Sequence, residues 1–257
     1  MRALVISGAP SAQSLTDDLS RTASAELGAR GYDVDVLNLN GLHWDPVVRP
    51  CDYGICEFDG PVGDHAVDAR TEGVIDSVVG QHQRLVERAD LIVLVFPLWW
   101  AGMPAIMKGW FDRVFTQGFA YGLHDAAGNS RKYGDGAFAG KRGLVITTTG
   151  DRASAFDERG LNGNIHDLLF PITHGIFWYT GVAPLESLAL LGIDTPDWPG
   201  IEDARERVRT RIASLEQEQP IPYRRMLEDY DSDRRLCGQH ATGRTDLAIH
   251  LRPERAS

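Results

Sequence analysis

Cysteine is scarce in this 257-residue chain, and long apolar runs are missing from it. Its three cysteines, Cys51, Cys56 and Cys237, are too few and too scattered for the disulfide framework of a small secreted protein. No segment approaches the ~18 consecutive apolar residues that a membrane-spanning helix needs. The N-terminal residues 2–7 already have the composition of a strand rather than of a secretion signal. We therefore expect a soluble, cytoplasmic protein with reduced thiols and no membrane span.

Positive charge is in deficit as well. The chain has 26 Lys and Arg residues against 36 Asp and Glu residues, which gives a formal net charge of -10. A continuous nucleic-acid surface depends on clustered basic side chains, so we expect no nucleic-acid partner. An anionic cofactor can still bind, because the N–H groups at the start of a helix attract negative charge.

Several catalytic and metal-binding motifs are also missing. No G-x-S-x-G sequence occurs, so serine hydrolysis has no support. Cys51 and Cys56 have C-x4-C spacing without a second pair, which argues against a zinc site. His166 and His174 lack a further ligand, and the acidic segment 228–233 lacks the Gly and the distal Glu of an EF-hand. We expect no metal centre.

Short apolar segments alternate with helical patterns along most of the chain. This alternation predicts an α/β protein with a doubly wound parallel sheet and helices on both faces. The predicted strands lie near 3–7, 34–39, 91–96, 143–146 and 185–191. The predicted helices begin near 14, 81, 104, 165 and 202.

The remaining segments are read as connections or as an extension. Residues 41–80 and 122–139 are rich in Gly or Pro, which predicts long irregular loops of the kind that often carry function. The domain is predicted to occupy residues 1–219. Residues 220–257 show no strong periodicity and are predicted to be an extended C-terminal tail.

Three segments follow predicted strands, where ligands gather in open α/β sheets. Residues 8–16 place Ser14 and Thr16 beside the N–H groups of a helix start, which suits a phosphate, although a simple N-capped helix explains them too. Residues 96–104 contain adjacent tryptophans that could stack on a planar ring or lie under a partner subunit. Residues 147–150 could hydrogen-bond a heterocycle or form an ordinary turn.

The segment 96–115, FPLWWAGMPAIMKGWFDRVF, closely resembles the signature of the NAD(P)H:quinone oxidoreductase (DT-diaphorase) family. Further similarity lies at Gly118–Tyr121, at 148–150, at 170–175 and in the tail, so that it covers nearly the whole chain. The resemblance implies a flavodoxin-like fold, bound FAD rather than FMN, and a homodimer with its active sites between subunits. NAD(P)H would pass a hydride to the flavin and leave, and a quinone-like acceptor would then take the hydride in the same pocket.

The resemblance also implies roles for individual residues. Tyr121 would close over the substrate from the partner subunit, and Arg205 would contact the adenine side of FAD. The tail would help to build the dimer. The residues implied at the FAD pyrophosphate are Ser14, Leu15 and Thr16, and those implied around the isoalloxazine are Pro97, Leu98, Trp99, Trp100, Thr148, Thr149 and Gly150.

The chain departs from the family pattern at several positions. Ala9 stands where the family usually has a His, and Leu123 where an aromatic lid residue is common. The catalytic Tyr and His that lie over the flavin are matched by Phe156 and Asn162. Phe156 has no proton to give and neutral Asn162 cannot act as an acid, so we expect backbone N–H groups or water to take over their role.

These departures keep a second hypothesis open. Hydride transfer needs only stacking and approach, because the cofactor carries the chemistry, and this favours an enzyme with a ping-pong cycle. The loss of the Tyr and His pair would instead suit a flavin-binding or nucleotide-binding regulatory subunit with little turnover of its own. Azo dyes, nitroaromatics and biosynthetic intermediates are alternative acceptors that the sequence does not separate from quinones.

Overall fold

A computed structural model of the chain describes residues 1–253 and contains a single parallel sheet flanked by helices. The strands are β1 (Arg2–Ser7), β2 (Asp33–Asn38), β3 (Leu91–Pro97), β4 (Arg142–Thr148), β5 (Ala183–Pro184) and β6 (Leu188–Leu190). The α-helices are α1 (Leu15–Ala29), α2 (Val62–Glu72), α3 (Ser77–Arg88), α4 (Ala105–Val114), α5 (Ile165–Ile172), α6 (Ile201–Ala213) and α7 (Met226–Asp229).

The sheet has the strand order β2-β1-β3-β4-β5, with β6 also paired to β4, and every pairing is parallel. All seven residues of β3 are buried, as expected for an apolar strand that is covered on both faces. The order in which strands are added reverses here, because β2 lies on one side of β1 and β3 lies on the other. This point of reversal is where ligands bind in doubly wound folds.

Two apolar clusters cover the two faces of the sheet and confirm the predicted doubly wound architecture. On one face, Leu19 and Leu27 of α1 and Val208 of α6 pack against alternate residues of β1, β3 and β4. On the other face, apolar residues of α3, α4 and α5 cover the remaining strand side chains, those that point away from α1 and α6. Trp110 of α4 is fully buried there. Each strand supplies side chains to both clusters because successive side chains of a strand point to opposite faces of the sheet.

The segment 41–80 is more ordered than predicted. It contains a short 3₁₀ helix at Pro50–Tyr53, the helix α2 and the first turn of α3. Pro61, one of the residues that predict a loop here, instead caps the start of α2, and Gly73 caps its end. The buried face of α2 consists of the small residues Ala66 and Ala69, so its apolar periodicity is weak in the sequence.

Two other boundaries differ from the prediction. The helix that begins at Ile165 does not end near residue 170 but continues past Pro171 as π-helical turns over Thr173–Trp178. The last predicted strand is divided, so that the described chain has six strands rather than five. The loop 122–139 contains no helix or strand, as predicted.

The C-terminal extension packs on its own chain as far as residue 253. The N–H of Ile221 donates to the carbonyl of Pro184 at 2.8 Å, and the indole Nε1 of Trp178 donates to the carbonyl of Arg224 at 2.8 Å. Beyond α7 it forms one further short helix, Leu247–His250. The final residues 254–257 of the predicted extension lie outside the described residues. No helix in residues 1–253 combines the length and apolar character that crossing a membrane requires.

Candidate active site

The carboxyl ends of β1, β3 and β4 bring three loops to one edge of the sheet. In the parallel register, Ser7 lies beside Val95, and Pro97 lies beside Thr148. Two backbone hydrogen bonds extend this register into the loops: Gly8 N–H donates to Val95 at 2.9 Å, and Leu98 N–H donates to Thr148 at 2.9 Å. The three segments that the sequence singles out are therefore neighbours in space, across the point where the strand order reverses.

The loop after β1 ends in a well-formed helix start. The Ser14 hydroxyl accepts a hydrogen bond from Asp17 N–H at 3.2 Å and donates one to the Ser11 carbonyl at 2.8 Å. The next two N–H groups, those of Leu15 and Thr16, have no acceptor within residues 1–253. They point out of the helix start, where the helix dipole attracts an anion.

The loop after β3 holds its two tryptophans in a tight turn. Trp99 and Gly102 exchange two backbone hydrogen bonds of 2.9 and 3.0 Å. The two residues between them, Trp100 and Ala101, have left-handed backbone angles with φ of 50° and 57°. Neither is a glycine, so each conformation is strained, and such strain in native proteins clusters at functional sites. Trp100 is fully exposed and Trp99 is half exposed, so this turn presents bare aromatic surface.

The loop after β4 presents a polar backbone. Thr148 and Thr149 are buried, and Thr149 N–H donates to the carbonyl of Leu190 at 3.0 Å. The next N–H group, that of Gly150, has no acceptor in the described part of the chain. A β-carbon at Gly150 would lie 2.2 Å from the Oδ2 of Asp194, so a larger residue would displace either that side chain or the loop.

The residues matched to the family's Tyr and His follow this loop. Phe156 ends a 3₁₀ helix over Ala153–Phe156, and its side chain is buried. Asn162 is exposed, and its Nδ2 donates to the Oδ2 of Asp151 at 2.9 Å. Hydrogen bonds from the Arg152 backbone N–H and from the Asn162 amide lower the pKa of Asp151. A carboxylate therefore holds the Asn162 amide in place beside the loop after β4.

Tyr121 lies apart from these residues. It follows α4, its pKa is raised by burial, and its backbone carbonyl accepts a hydrogen bond from Gly118 at 2.8 Å. No hydrogen bond or aromatic contact joins Tyr121 to Phe156 or Asn162 within residues 1–253. Within residues 1–253, the three predicted catalytic residues are therefore not joined to one another by direct contacts of these kinds.

Arg205 lies behind the start of α1. Its guanidinium makes two parallel hydrogen bonds to Asp18, of 2.7 and 2.6 Å, and pairs with Glu202. The hydrogen bond to Asp18 is the main reason why the pKa of Arg205 is raised. The two carboxylates hold the guanidinium beside Asp18, which lies in the first turn of α1.

Sequence reasoning missed the two acidic residues that shape this edge. Asp151 directly follows the predicted segment 147–150, and this position in the sequence could have identified it as a site residue. Asp194 lies 44 residues after Gly150 in the chain, and only the pairing of β6 with β4 brings the two together. No group of three or more His, Cys, Asp or Glu residues is placed to hold a metal ion within residues 1–253.

Comparison with known proteins places this chain among oxidoreductases. The family model that describes a flavodoxin-like fold matches residues 1–212. The chain is 34% identical to the "Ribosyldihydronicotinamide dehydrogenase-like protein traD" of Penicillium crustosum over 233 residues, which cover 87% of this chain and 84% of that protein. It is 32% identical to the "NAD(P)H dehydrogenase [quinone] 1" of Cavia porcellus, with 75% of this chain and 69% of that protein covered.

A solved structure extends the similarity to the complete fold. The crystal structure of a candidate quinone reductase from Klebsiella pneumoniae is 35% identical in sequence and has a TM-score of 0.90. The match covers 98% of this chain and 100% of that one. It therefore includes the C-terminal extension as well as the sheet.

Proposed function

Because this chain belongs to the NAD(P)H:quinone oxidoreductase family, which has a flavodoxin-like fold, we propose that it is a flavin enzyme that transfers a hydride from NAD(P)H to a quinone or a similar two-electron acceptor. The observation that carries this proposal is the meeting of three loops at the strand reversal. They combine an anion-binding helix start, exposed indole surface and backbone N–H groups without acceptors. A phosphorylated, planar, polar-edged cofactor requires each of these features.

The chain's residues fit a flavin at this edge. Leu15 and Thr16 offer their N–H groups to a phosphate, while Pro97, Leu98, Trp99 and Trp100 offer an apolar floor. The N–H of Gly150, next to Thr148 and Thr149, would serve the polar edge of the ring. When bound, the flavin would supply the hydride chemistry itself, and the protein would supply orientation and a suitable electrostatic environment.

FAD is proposed over FMN because of Arg205. Two hydrogen bonds to Asp18, in the same first helical turn as Thr16, hold its guanidinium in one orientation. A planar, immobilised guanidinium is well suited to stack on an adenine. FMN lacks the adenylate and would leave this surface unused. Asp18 already balances the positive charge of Arg205, so the guanidinium attracts a phosphate only weakly. An uncharged adenine ring is therefore the better ligand for it.

A homodimer is proposed because one chain leaves the site incomplete. Trp100 and Leu161 are almost completely exposed, and within residues 1–253 no hydrogen bond joins Tyr121 to Phe156 or Asn162. A second copy that covers these apolar side chains would bring its own Tyr121 over the acceptor. We propose that the C-terminal extension, residues 220–257, helps to form that interface.

The role of the family's Tyr and His is proposed to pass to backbone groups. Phe156 contributes apolar packing, and Asn162 donates one amide hydrogen to Asp151 and keeps the other for a ligand. Negative charge that develops at the polar edge of the ring would meet the Gly150 N–H. The protein would then need no side-chain acid at this position.

The substitution Asn162→Ala tests this arrangement. We expect a fall in the rate of acceptor reduction of less than about tenfold, because general acid catalysis is typically worth a hundredfold or more and Asn162 supplies none. Asn129→Ala is a matched control. The Asn129 side-chain amide donates the same kind of hydrogen bond, of 3.0 Å, to the Asp125 carboxylate, in an exposed loop outside the three loops of the candidate site. A fall of more than a hundredfold in Asn162→Ala alone would show that Asn162 itself carries the charge stabilisation.

The proposed function is tested first by the absorbance spectrum of the purified protein, before and after anaerobic addition of NADH or NADPH. We expect an oxidised flavin spectrum that bleaches, release of FAD on denaturation, and parallel lines in double-reciprocal plots of a ping-pong cycle. Gel filtration should give the mass of two chains. A colourless protein that binds neither FAD nor FMN and oxidises neither nucleotide would contradict the proposal and favour the regulatory-subunit alternative.

A further inference from the structure

Two asparagines of the chain are followed directly by a glycine: Asn40 by Gly41, and Asn162 by Gly163. A leucine precedes each asparagine, so the two pairs have similar local sequences. Deamidation is easiest in an Asn-Gly sequence, because glycine has no side chain to hinder the attack of its own backbone nitrogen on the asparagine amide. The reaction also requires a backbone that can change conformation, and the two pairs differ in this respect.

The first pair is held by the core of the protein. Leu39, between β2 and Asn40, is fully buried. The Gly41 N–H donates to the side-chain oxygen of Asn38 at 2.9 Å, and the Asn40 amide donates to the carbonyl of Pro10. Ring closure at Asn40 would break both hydrogen bonds and pull the end of β2 away from the sheet. We therefore expect deamidation of Asn40 to be slow in the folded protein.

The second pair lies in an open loop. No side chain from residue 157 to residue 164 is buried, and Asn162 is exposed. The backbone of this loop is held by bonds such as those from Asn162 N–H to the Ala155 carbonyl, of 2.8 Å, and from Gly163 N–H to the Gly160 carbonyl, of 3.0 Å. Solvent-exposed hydrogen bonds without buried side chains beneath them open at a low cost in free energy. Asn162 and Gly163 can therefore change conformation while the rest of the protein stays folded.

A single carboxylate restrains the Asn162 amide. Within residues 1–253, the amide nitrogen Nδ2 donates one hydrogen bond, of 2.9 Å, to Oδ2 of Asp151. Hydrogen bonds lower the pKa of Asp151, so this carboxylate is ionised at pH 7 and repels hydroxide. Departure of the amide nitrogen breaks the bond to Asp151, so the bond slows the reaction. The bond is exposed to water, which makes the restraint modest.

We propose that Asn162 is a site of spontaneous deamidation, which gives the folded protein a second carboxylate beside Asp151. The Gly163 nitrogen gives its proton to hydroxide and attacks Cγ of Asn162. A new C–N bond closes a five-membered ring, the bond from Cγ to Nδ2 breaks, and the amide nitrogen takes a proton from water and leaves as ammonia. Water then opens the ring at either carbonyl carbon, which gives aspartate or isoaspartate. The net reaction consumes one water and releases one ammonia, without oxidation or reduction.

The modification changes the charge of the candidate site. The new carboxylate would replace an amide that lies 2.9 Å from Asp151, and two carboxylates at such a distance repel each other. The effect on catalysis rests on the proposed function, in which negative charge develops near the Gly150 N–H. Additional negative charge beside this loop disfavours that development. Deamidation of Asn162 would therefore slow acceptor reduction as the protein ages.

The experiment is incubation of the purified protein at mildly alkaline pH, with samples digested at intervals for peptide mass spectrometry. We expect a mass increase of about 1 Da, and isoaspartate, in the peptide that contains Asn162. This increase should form at least about tenfold faster than in the peptide that contains Asn40. Protein unfolded in urea is the matched control, because without the fold both pairs should react at similar rates. Similar rates in the folded protein, or no mass increase at Asn162 while the unfolded protein reacts, would overturn the proposal.

Two variants test the restraint by Asp151. Asp151→Ala removes the hydrogen-bond acceptor of the Asn162 amide and should speed its deamidation roughly threefold to tenfold. Asp125→Ala is the control, because it frees the amide of Asn129 in the same way, in a loop outside the candidate site. It should leave the rate at Asn162 unchanged. Equal rates at Asn162 in the two variants would overturn the role of Asp151.

The substitution Asn162→Asp tests the effect on the reaction. It carries the charge of the modified protein from the start, and it should slow acceptor reduction more than Asn162→Ala does. Equal rates of reduction in these two variants would refute the effect of the added charge. The mass increase tests the modification site whether or not the protein binds a flavin, so a failure of the proposed function would be seen separately.

Discussion

The left-handed turn after β3 provides a prediction whose sign can be worked out from the backbone alone. Ala101 has a φ of 57°, a conformation that costs an L-residue roughly 1–2 kcal/mol and glycine nothing. The substitution Ala101→Gly removes that cost. It also gives the unfolded chain more conformational freedom, which lowers stability by roughly 0.4–1 kcal/mol. We expect a net increase in the free energy of unfolding of about 0.5–1 kcal/mol.

The same substitution has the opposite effect where the backbone is relaxed. Ala127 also lies in an exposed loop, but its φ is not positive. Ala127→Gly should therefore change only the unfolded chain and lower stability by roughly 0.4–1 kcal/mol. The two variants should differ by about 1–2 kcal/mol, or about 2–8 °C in melting temperature at this chain length.

The assay is thermal and urea unfolding of the flavin-free protein, followed by titration with FAD. Ala101→Gly should melt higher than the parent and bind FAD more weakly, because a turn that is no longer held in one conformation loses order when the ring binds. Equal destabilisation by Ala101→Gly and Ala127→Gly would refute the strain argument. Stabilisation without weaker FAD binding would refute the link between the strained turn and the site.

Three further predictions concern the loop after β4 and the buried charges. Gly150→Ala should weaken FAD binding roughly threefold to tenfold in a fluorescence titration, because its β-carbon would lie 2.2 Å from Asp194 Oδ2 and displace that side chain or the loop that carries the Gly150 N–H. Unchanged affinity would contradict the placement of this loop against the cofactor. Burial lowers the folded-state pKa of His82 and of His174 to about 4, so the unfolded chain binds more protons between pH 4 and 6.5. Stability should therefore fall as the pH is lowered through that window, by up to about 1.4 kcal/mol per pH unit for each of these histidines. Burial also lowers the pKa of His250, so His174→Phe should reduce the slope in urea titrations without removing it. Arg113→Met should cost roughly 3–5 kcal/mol of unfolding free energy, because it leaves the buried Asp52 carboxylate without its bidentate partner, and adding Asp52→Asn should recover part of that loss.

The architecture followed from the pattern of apolar residues. The segment Leu91–Pro97 is apolar at every position. As a strand, it keeps all of these side chains from water because both faces of the sheet are covered. The four-residue repeat of Leu15, Leu19, Ala23 and Leu27 likewise allows a single buried helix face. Once strands and helices alternate, the parallel sheet and its edge of loops follow from chain connectivity. The positions of the three loops of the active site were therefore predictable.

The helix α2 could not be recognised in the same way. Its buried side chains are alanines, which carry little hydrophobic signal, and the residues that bound it, Pro61 and Gly73, are equally common in loops. The π-helical continuation of α5 past Pro171 was also hidden, because a proline normally ends a helix. In both cases packing against the rest of the molecule outweighed local preference.

The sequence by itself determined which segments meet at the candidate site, because strand ends and helix starts are local features that short patterns encode. Only the tertiary structure decided what those segments meet: Asp194 against Gly150, Asp151 holding Asn162, and Phe156 turned into the interior. A cavity between the loop 122–139 and the C-terminal extension is an extreme case. Lys132 and Arg234 both line it, although they lie about a hundred residues apart in the chain and no local pattern relates them. Such contacts arise from the packing of segments distant in sequence, and composition and periodicity carry no information about that packing.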